Sequence, residues 1–310
     1  MIKTADKSAE LMEDIHQRYT EMGQDPLVHL EGLKYAKPIT YWDYCEIDTL
    51  LSLQKPRTIV PDESVFIMYH QVNELIFKMI LSEIQQIADK EDLNAHFFTE
   101  RLGRINRYWG ILINSFSIMK DGMETAQYLK FRTTLTPASG FQSAQYRTIE
   151  ICCTPLENLV HQYFRPQLSE NATLDEKLSK IYWQAAGLNF KTGEKNLTLQ
   201  LFEVKYREEF LRIAHDYEHK NIWAKYIAIH PDEQKDQNLI KALRHLDEMV
   251  NIEWVMTHYH TAEKYLESDG NTTEATGGSS WKKYMHPSYQ RRIFFPKLWS
   301  SEELENWGRN

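Results

Sequence analysis

Residues 239–280 read LIKALRHLDEMVNIEWVMTHYHTAEKYLESDGNTTEATGGSS, and the spacing within them decides the fold. Leu239, Leu243, Leu246, Val250, Trp254, Thr261 and Tyr265 recur at helical intervals, so one stripe of a long helix faces inward. His258 falls on that stripe, one turn after Trp254. An imidazole among apolar neighbours loses water from both ring nitrogens and needs a hydrogen-bond partner or a metal. Helix position alone favours the paired core histidine over a ligand, since most buried polar groups are simply bonded. His260 sits well round the helix from His258, so the two do not easily grip one ion. The helix gives way to Ser, Asp, Gly, Asn and Thr and then to Thr276-Gly277-Gly278-Ser279-Ser280, a loop with many free backbone N–H groups.

Working outward, the composition agrees with helices. Only 12 glycines and 10 prolines punctuate 310 residues, while aromatics make up 12%. The expected class is all-α, a bundle of long helices. Pro61-Asp62-Glu63 opens one of them with proline and acids where a helix N-terminus favours them. Two adjacent apolar stripes follow, Val65, Tyr69, Val72, Ile76 and Met79 beside Phe66, His70, Asn73, Phe77, Ile80, Ile84 and Ile87, which is the pattern of a deeply buried helix. His70 is thus a second inward histidine, and again the paired core reading is the commoner one. Leu102, Ile105, Trp109, Leu112, Phe116 and Met119 give residues 97–120 a heptad-like rhythm suited to bundle packing.

The remaining segments are shorter. Residues 7–22 read as an amphipathic arm, mobile or docked on a neighbour, and residues 41–51 as a short helix whose Tyr41 and Tyr44 are core or pocket lining. Tyr128 and Arg132 stand one turn apart before the loop 134–140, where the arginine's planar fork suits a carboxylate or a surface ion pair. A further helix opens near residue 141, and residues 173–190 and 197–228 read as two more, joined by the loop 187–196. His215 and His219 stand at i, i+4, but Asp216 occupies the place where the zinc-protease motif needs Glu, so this is a solvated face. The tail carries a possible capping box, Ser300 to Glu303.

Charge and composition narrow the chemistry. A formal charge of −8 and a pI near 5.9 provide no long-range attraction for nucleic acid or anionic lipid. No apolar run approaches the roughly 18 residues of a membrane span and no signal-peptide core follows Met1, so a cytoplasmic protein is expected. Cys45, Cys152 and Cys153 do not make a disulfide framework or a catalytic signature. No G-x-S-x-G elbow occurs, Glu-x-x-His appears only at Glu13 and His16 rather than in the pairs a di-iron bundle requires, and Gly277-Gly278 lacks a Walker lysine. Two inward histidines, aromatic neighbours, an arginine beside a loop and a small-residue loop remain. A haem held by one histidine, without thioether links, suits that set.

Five blocks give the sequence a family likeness. They are Tyr41-x-x-Tyr44 with Asp48; Phe66-Ile67-x-x-His70-Gln71-x-x-Glu74-Leu75; Tyr128-x-x-Phe131-Arg132; Ser139-Gly140-Phe141-Gln142-Ser143-x-Gln145-Tyr146-Arg147-x-x-Glu150; and Trp254-x-x-x-His258 with Thr276-Gly277-Gly278-Ser279-Ser280. In this order the chain resembles the tryptophan 2,3-dioxygenases. The resemblance implies an all-α bundle enclosing a haem pocket and a single domain over residues 1–310, with 1–40 as an arm packing on a neighbouring subunit of a homotetramer. It implies haem b with His258 as axial iron ligand and Trp254 beside it, and His70 and Ser139 as the catalytic pair on the distal side. Phe66, His70, Tyr128, Arg132 and Thr276, with Tyr41 and Tyr44 from a neighbour, would bind substrate. The implied reaction inserts both atoms of O2 across the indole C2–C3 bond of L-tryptophan, giving N-formylkynurenine. The chain departs from the family pattern at Trp281, where glycine is usual, in a longer and more acidic link from His258 to Thr276, and at Tyr69 and Ile76. Those departures leave room for a related oxygenase of a substituted indole or other aromatic amino acid. A haem sensor or carrier without turnover is the third reading, and it has no use for an amino-acid clamp.

Overall fold

The computed structural model describes residues 2–185, 187–190, 192–266 and 285–309. It divides into two compact units, Met1–Gln54 and Lys55–Asn310. The first unit consists of α1 (Ile2–Glu21), α2 (Pro26–Leu33), α3 (Tyr41–Tyr44) and α4 (Ile47–Leu51). Asp25 caps α2 by accepting from Leu27 N at 2.9 Å. Much of this unit's apolar surface, including Leu27, Val28, Leu33, Ile39 and Trp42, lies exposed.

The second unit is built on α5 (Pro61–Asp89) and α6 (Ala95–Lys120). On α5, Phe77, Ile80, Ile84 and Ile87 are buried at helical spacing, and on α6 Phe98, Leu102, Ile105, Trp109, Leu112 and Phe116 are buried in heptad rhythm. Each such side chain contributes roughly 1.5–3 kcal/mol by leaving water. Asn94 starts α6 by accepting from Phe97 N at 2.9 Å. Next come α7 (Thr125–Arg132) and α8 (Ala144–Cys153), then the short α9 (Leu156–Leu159), α10 (Leu174–Leu178) and α11 (Tyr182–Ala185). The longer α12 (Leu197–Tyr217), α13 (Ile222–Ala228), α14 (Gln237–Glu248) and α15 (Trp254–Leu266) complete the bundle, with short turns at Pro287–Gln290 and Ser301–Glu305. Among the described residues the only β pairing is two isolated bridges, Val160 with Ile181 and Leu188 with Lys195. The expected all-α class is what the chain adopts.

Four expected helices are broken. The segment 41–51 is divided into α3 and α4 at Glu46, whose φ of 49° is left-handed. Residues 173–190 yield only α10 and α11. The segment 197–228 is cut at Asn221, whose side chain donates to Tyr217 O and Glu218 O and accepts from Ala224 N, ending α12 and starting α13. The long stripe of residues 239–265 is interrupted by a π-turn, Met249–Glu253. At about 100° per residue, His258 would lie some 120° round from Leu246 in an unbroken α-helix; the wider π-turn takes most of that angle back and returns His258 to the core face.

The π-turn is tied down by the C-terminal segment. The fully buried Asp247 accepts from Phe294 N at 2.8 Å, Phe295 N at 2.9 Å, Trp299 Nε1 at 3.0 Å and Asn251 Nδ2 at 2.7 Å. Burial pushes its pKa up to about 6 against these four donors, which favour the carboxylate, so it is ionised at neutral pH. Val250 O accepts from Arg292 Nη2 at 3.4 Å, which occupies a carbonyl in the widened turn.

Candidate functional site

His70 and Glu74 lie one turn apart on α5. The His70 Nδ1–H donates to Phe66 O at 2.7 Å, which leaves Nε2 as an acceptor in the neutral ring. Desolvation lowers the His70 pKa, with the Phe66 bond and the Glu74 charge opposing it. The residue is nevertheless exposed to solvent. Deep setting and open access together describe a side chain that lines a hollow.

The same holds for His258 on α15. Its ring stacks on Phe116 with centroids 5.7 Å apart and planes at 25°. Desolvation, with a smaller contribution from the nearby His70 charge, lowers its pKa to about 4. Among the described residues neither ring nitrogen makes a hydrogen bond, so the paired core histidine is not what the structure shows. Trp254, one turn earlier, packs into the aromatic layer beneath: 4.7 Å from Phe116, 5.6 Å from Trp109 and 6.0 Å from Phe77 between ring centroids. Facing the imidazole is Gly140, where an added methyl carbon would stand 3.6 Å from His258 Cε1. The missing side chain keeps space open beside the ring.

Aromatic walls adjoin His70. Phe66 lies 4.2 Å from the imidazole, 5.5 Å edge-on from Phe131 and 6.2 Å from Tyr128 between centroids. α7 is fastened to the start of α5 by Asp62 N donating to Gln127 Oε1 at 3.2 Å and Glu124 N to Asp62 Oδ2 at 2.8 Å. These bonds bring Tyr128 and the buried Arg132 to the same side as Phe66, and Arg132 hydrogen-bonds the Tyr128 phenol. The loop that carries Ser139 is anchored at both ends. Thr198 Oγ1 donates to Pro137 O at 2.8 Å, Gln142 Nε2 donates to Thr198 O at 3.1 Å, and Ser139 N donates to Gln142 Oε1 at 3.0 Å.

Phe66, His70, Tyr128, Arg132, Ser139, Trp254 and His258 thus all belong to the second unit. Tyr41 and Tyr44 sit on α3 of the first unit, 73% and 76% exposed. Thr276 and Trp281 lie outside the described residues. Sequence reasoning left one cluster unassigned. Glu150 is buried with Arg147 (2.8 Å), Tyr182 (2.5 Å) and Arg292, and Tyr146 receives Arg292 at 3.2 Å. It locks α8, α11 and the C-terminal segment under the aromatic layer, and no periodicity could have announced a contact between residues 150, 182 and 292.

A family model described as tryptophan 2,3-dioxygenase matches residues 32–181. That match includes Tyr41, Tyr44, Phe66, His70, Tyr128, Arg132 and Ser139. Tryptophan 2,3-dioxygenase of Bacillus thuringiensis (strain Al Hakam) is 28% identical over 279 residues, 86% of this chain and 92% of its own length. That of Exiguobacterium sibiricum is 29% identical over 275 residues with the same coverage, and that of Ruegeria pomeroyi 26% over 286 residues, 89% and 96%. The chain is thus similar to the tryptophan 2,3-dioxygenase family model over just under half of its length and to tryptophan 2,3-dioxygenases over most of it.

The resemblance to the tryptophan 2,3-dioxygenases implies a haem, and the residues present fit one. His258 is neutral, its lone pair is not engaged among the described residues, aromatic rings flank it, and Gly140 keeps the space next to it clear. Among the described residues no group of three or more His, Cys, Asp or Glu side chains could hold a bare metal ion.

Proposed function

We propose that this chain is a haem-dependent tryptophan 2,3-dioxygenase, inserting both atoms of O2 across the C2–C3 bond of L-tryptophan to give N-formylkynurenine. One arrangement carries the reading: a neutral imidazole, His258, with no hydrogen bond among the described residues, lies near a second imidazole, His70, whose bond to Phe66 O fixes the tautomer and leaves Nε2 as the acceptor. Haem b, when bound, supplies the activation of O2, and His258 is the residue that would hold its iron. Everything else is orientation. His70 Nε2 accepts from the indole N–H, a role that its bond to Phe66 O prepares. Phe66 and Tyr128 provide an aromatic slot that excludes water, Ser139 stands on the loop opposite His258, and Arg132 pairs with the amino-acid carboxylate. Thr276 takes the ammonium and carboxylate end.

The quaternary reading belongs to the same proposal. Residues 1–310 act as one haem-binding domain whose first 40 residues pack on a neighbouring subunit of a homotetramer, which would bring Tyr41 and Tyr44 to that neighbour's site. Met68, Val72, Leu75 and Met79, exposed along one face of α5, support association between copies, as do the exposed apolar residues of the first unit. The described residues include no helix long and apolar enough to cross a membrane, in keeping with a cytoplasmic enzyme.

The test is to purify the protein with haem, reduce it anaerobically, admit O2 with L-tryptophan or other aromatic amino acids, and weigh the product. A gain of two oxygen atoms on tryptophan is expected. Oxygenation of only a substituted indole or another aromatic amino acid would move the assignment to a related oxygenase, and no product with any of them would leave a haem sensor or carrier.

A further inference from the structure

The loop Ser139–Gln142 faces His258, yet it is fastened to the helix of His70, and one side chain makes that fastening. Glu74 Oε1 accepts from Ser143 Oγ at 2.6 Å, and Glu74 Oε2 accepts from Gln145 Nε2 at 2.8 Å, while Gln145 Nε2 also donates to Glu74 O at 2.8 Å. Ser143 in turn caps α8 by accepting from Tyr146 N at 3.3 Å. A carboxylate offers a separate oxygen to each donor and no N–H to clash with either, and at the start of a helix its charge is stabilised further. Glu74 is one turn from His70 on α5, and the loop that it holds puts Gly140 against the His258 ring. We propose that Glu74 is a positioning residue that fixes the separation between the Ser139–Gly140 loop and His258, and with it the geometry between the two imidazole-bearing helices. This inference rests on the haem reading for its effect on turnover, but not for its effect on the loop.

Two consequences separate positioning from plain stability. In the haem-free protein, Glu74→Ala should raise amide hydrogen exchange at Gln142, Tyr146 and Arg147 at least tenfold, because their acceptors Ser139 O, Ser143 Oγ and Ser143 O belong to the released segment, while the buried core of α6 stays protected. In the haem-loaded protein, Glu74→Ala should keep haem stoichiometry, shift or split the C–O stretch of the ferrous carbonmonoxy form, and lower kcat about tenfold with a smaller change in KM. Glu74→Gln should restore part of each effect, since its oxygen still accepts from Gln145, and Ser143→Ala added to Glu74→Ala should lower stability further through the lost α8 cap but change the C–O stretch and kcat little more. The proposal is overturned if exchange at those three amides is unaltered, or if the C–O stretch and kcat stay at wild-type values while only the melting temperature falls. Wild-type protein that binds no haem would refute the dioxygenase reading instead, and the exchange measurement would still decide whether Glu74 holds the loop.

Discussion

Replacing Asp247 by Ala should be among the most damaging single changes in the chain outside the site itself. The carboxylate receives four donors, and two of them, Phe294 N and Phe295 N, belong to residues with no exposed surface and have no room to turn toward water. A buried donor left without an acceptor costs about 1–3 kcal/mol. Two stranded amides plus partial losses at Trp299 and Asn251 amount to about 3–5 kcal/mol, or a fall in melting temperature on the order of 10 °C for a chain of this size. Asp247→Asn should be nearly as costly, because it brings two N–H groups into a pocket of donors. Urea and thermal unfolding of the haem-free protein, followed by circular dichroism, measure both. The π-turn leans on the same contacts, so haem affinity should weaken in step with stability. A loss below about 1 kcal/mol for Asp247→Ala would refute the view that this carboxylate holds the C-terminal segment against the helix of His258.

Arg132→Ala should raise KM for L-tryptophan by about 10- to 150-fold, the equivalent of a charge-assisted contact of 1.5–3 kcal/mol, with the haem spectrum nearly unchanged; loss of haem would remove the assigned role. His70→Ala should retain haem and lose rate, and unchanged turnover would eliminate its part in binding the indole. Acid stability supplies a third check: His258 has a folded pKa of about 4 against an unfolded 6.5, so the unfolded chain binds more protons between those values. Its contribution therefore lowers the stability of the haem-free protein by about 3 kcal/mol as pH falls from 6.5 to 4, and vanishes above neutrality. The difference between wild type and His258→Phe across that window isolates the group, and an identical pH dependence in the two would contradict the depressed pKa.

Much of this site could be read before the fold was known, because its residues sit on helices whose periodicity is strong. The stripe through Trp254 and His258 set that imidazole on the aromatic layer, and the heptads of residues 97–120 became the buried face of α6, but the double stripe on α5 lies less deep than its pattern predicts: Phe77, Ile80, Ile84 and Ile87 are buried while His70, Val72 and Met79 are exposed. What escaped is of two kinds. Local chemistry overrode periodicity where Asn221 captured two carbonyls and where the π-turn at Met249–Glu253 widened the helix. Long-range pairing left no local trace: Glu74 meets Ser143 and Gln145, Asp247 meets residues 294–299, and Glu150 meets Tyr182 and Arg292 across intervals that no sequence window spans. The polar residues that decide how rigidly the site is held belong mostly to the second kind.

The most direct test of the account is the bond to iron. Resonance Raman spectra of the ferrous protein should show an iron–imidazole stretch in wild type with about one haem per chain. His258→Ala should lose both the stretch and tightly held haem, while His70→Ala keeps them. Full haem occupancy with an unchanged stretch in His258→Ala would mean that another side chain ligates the iron, and would contradict the site assigned here.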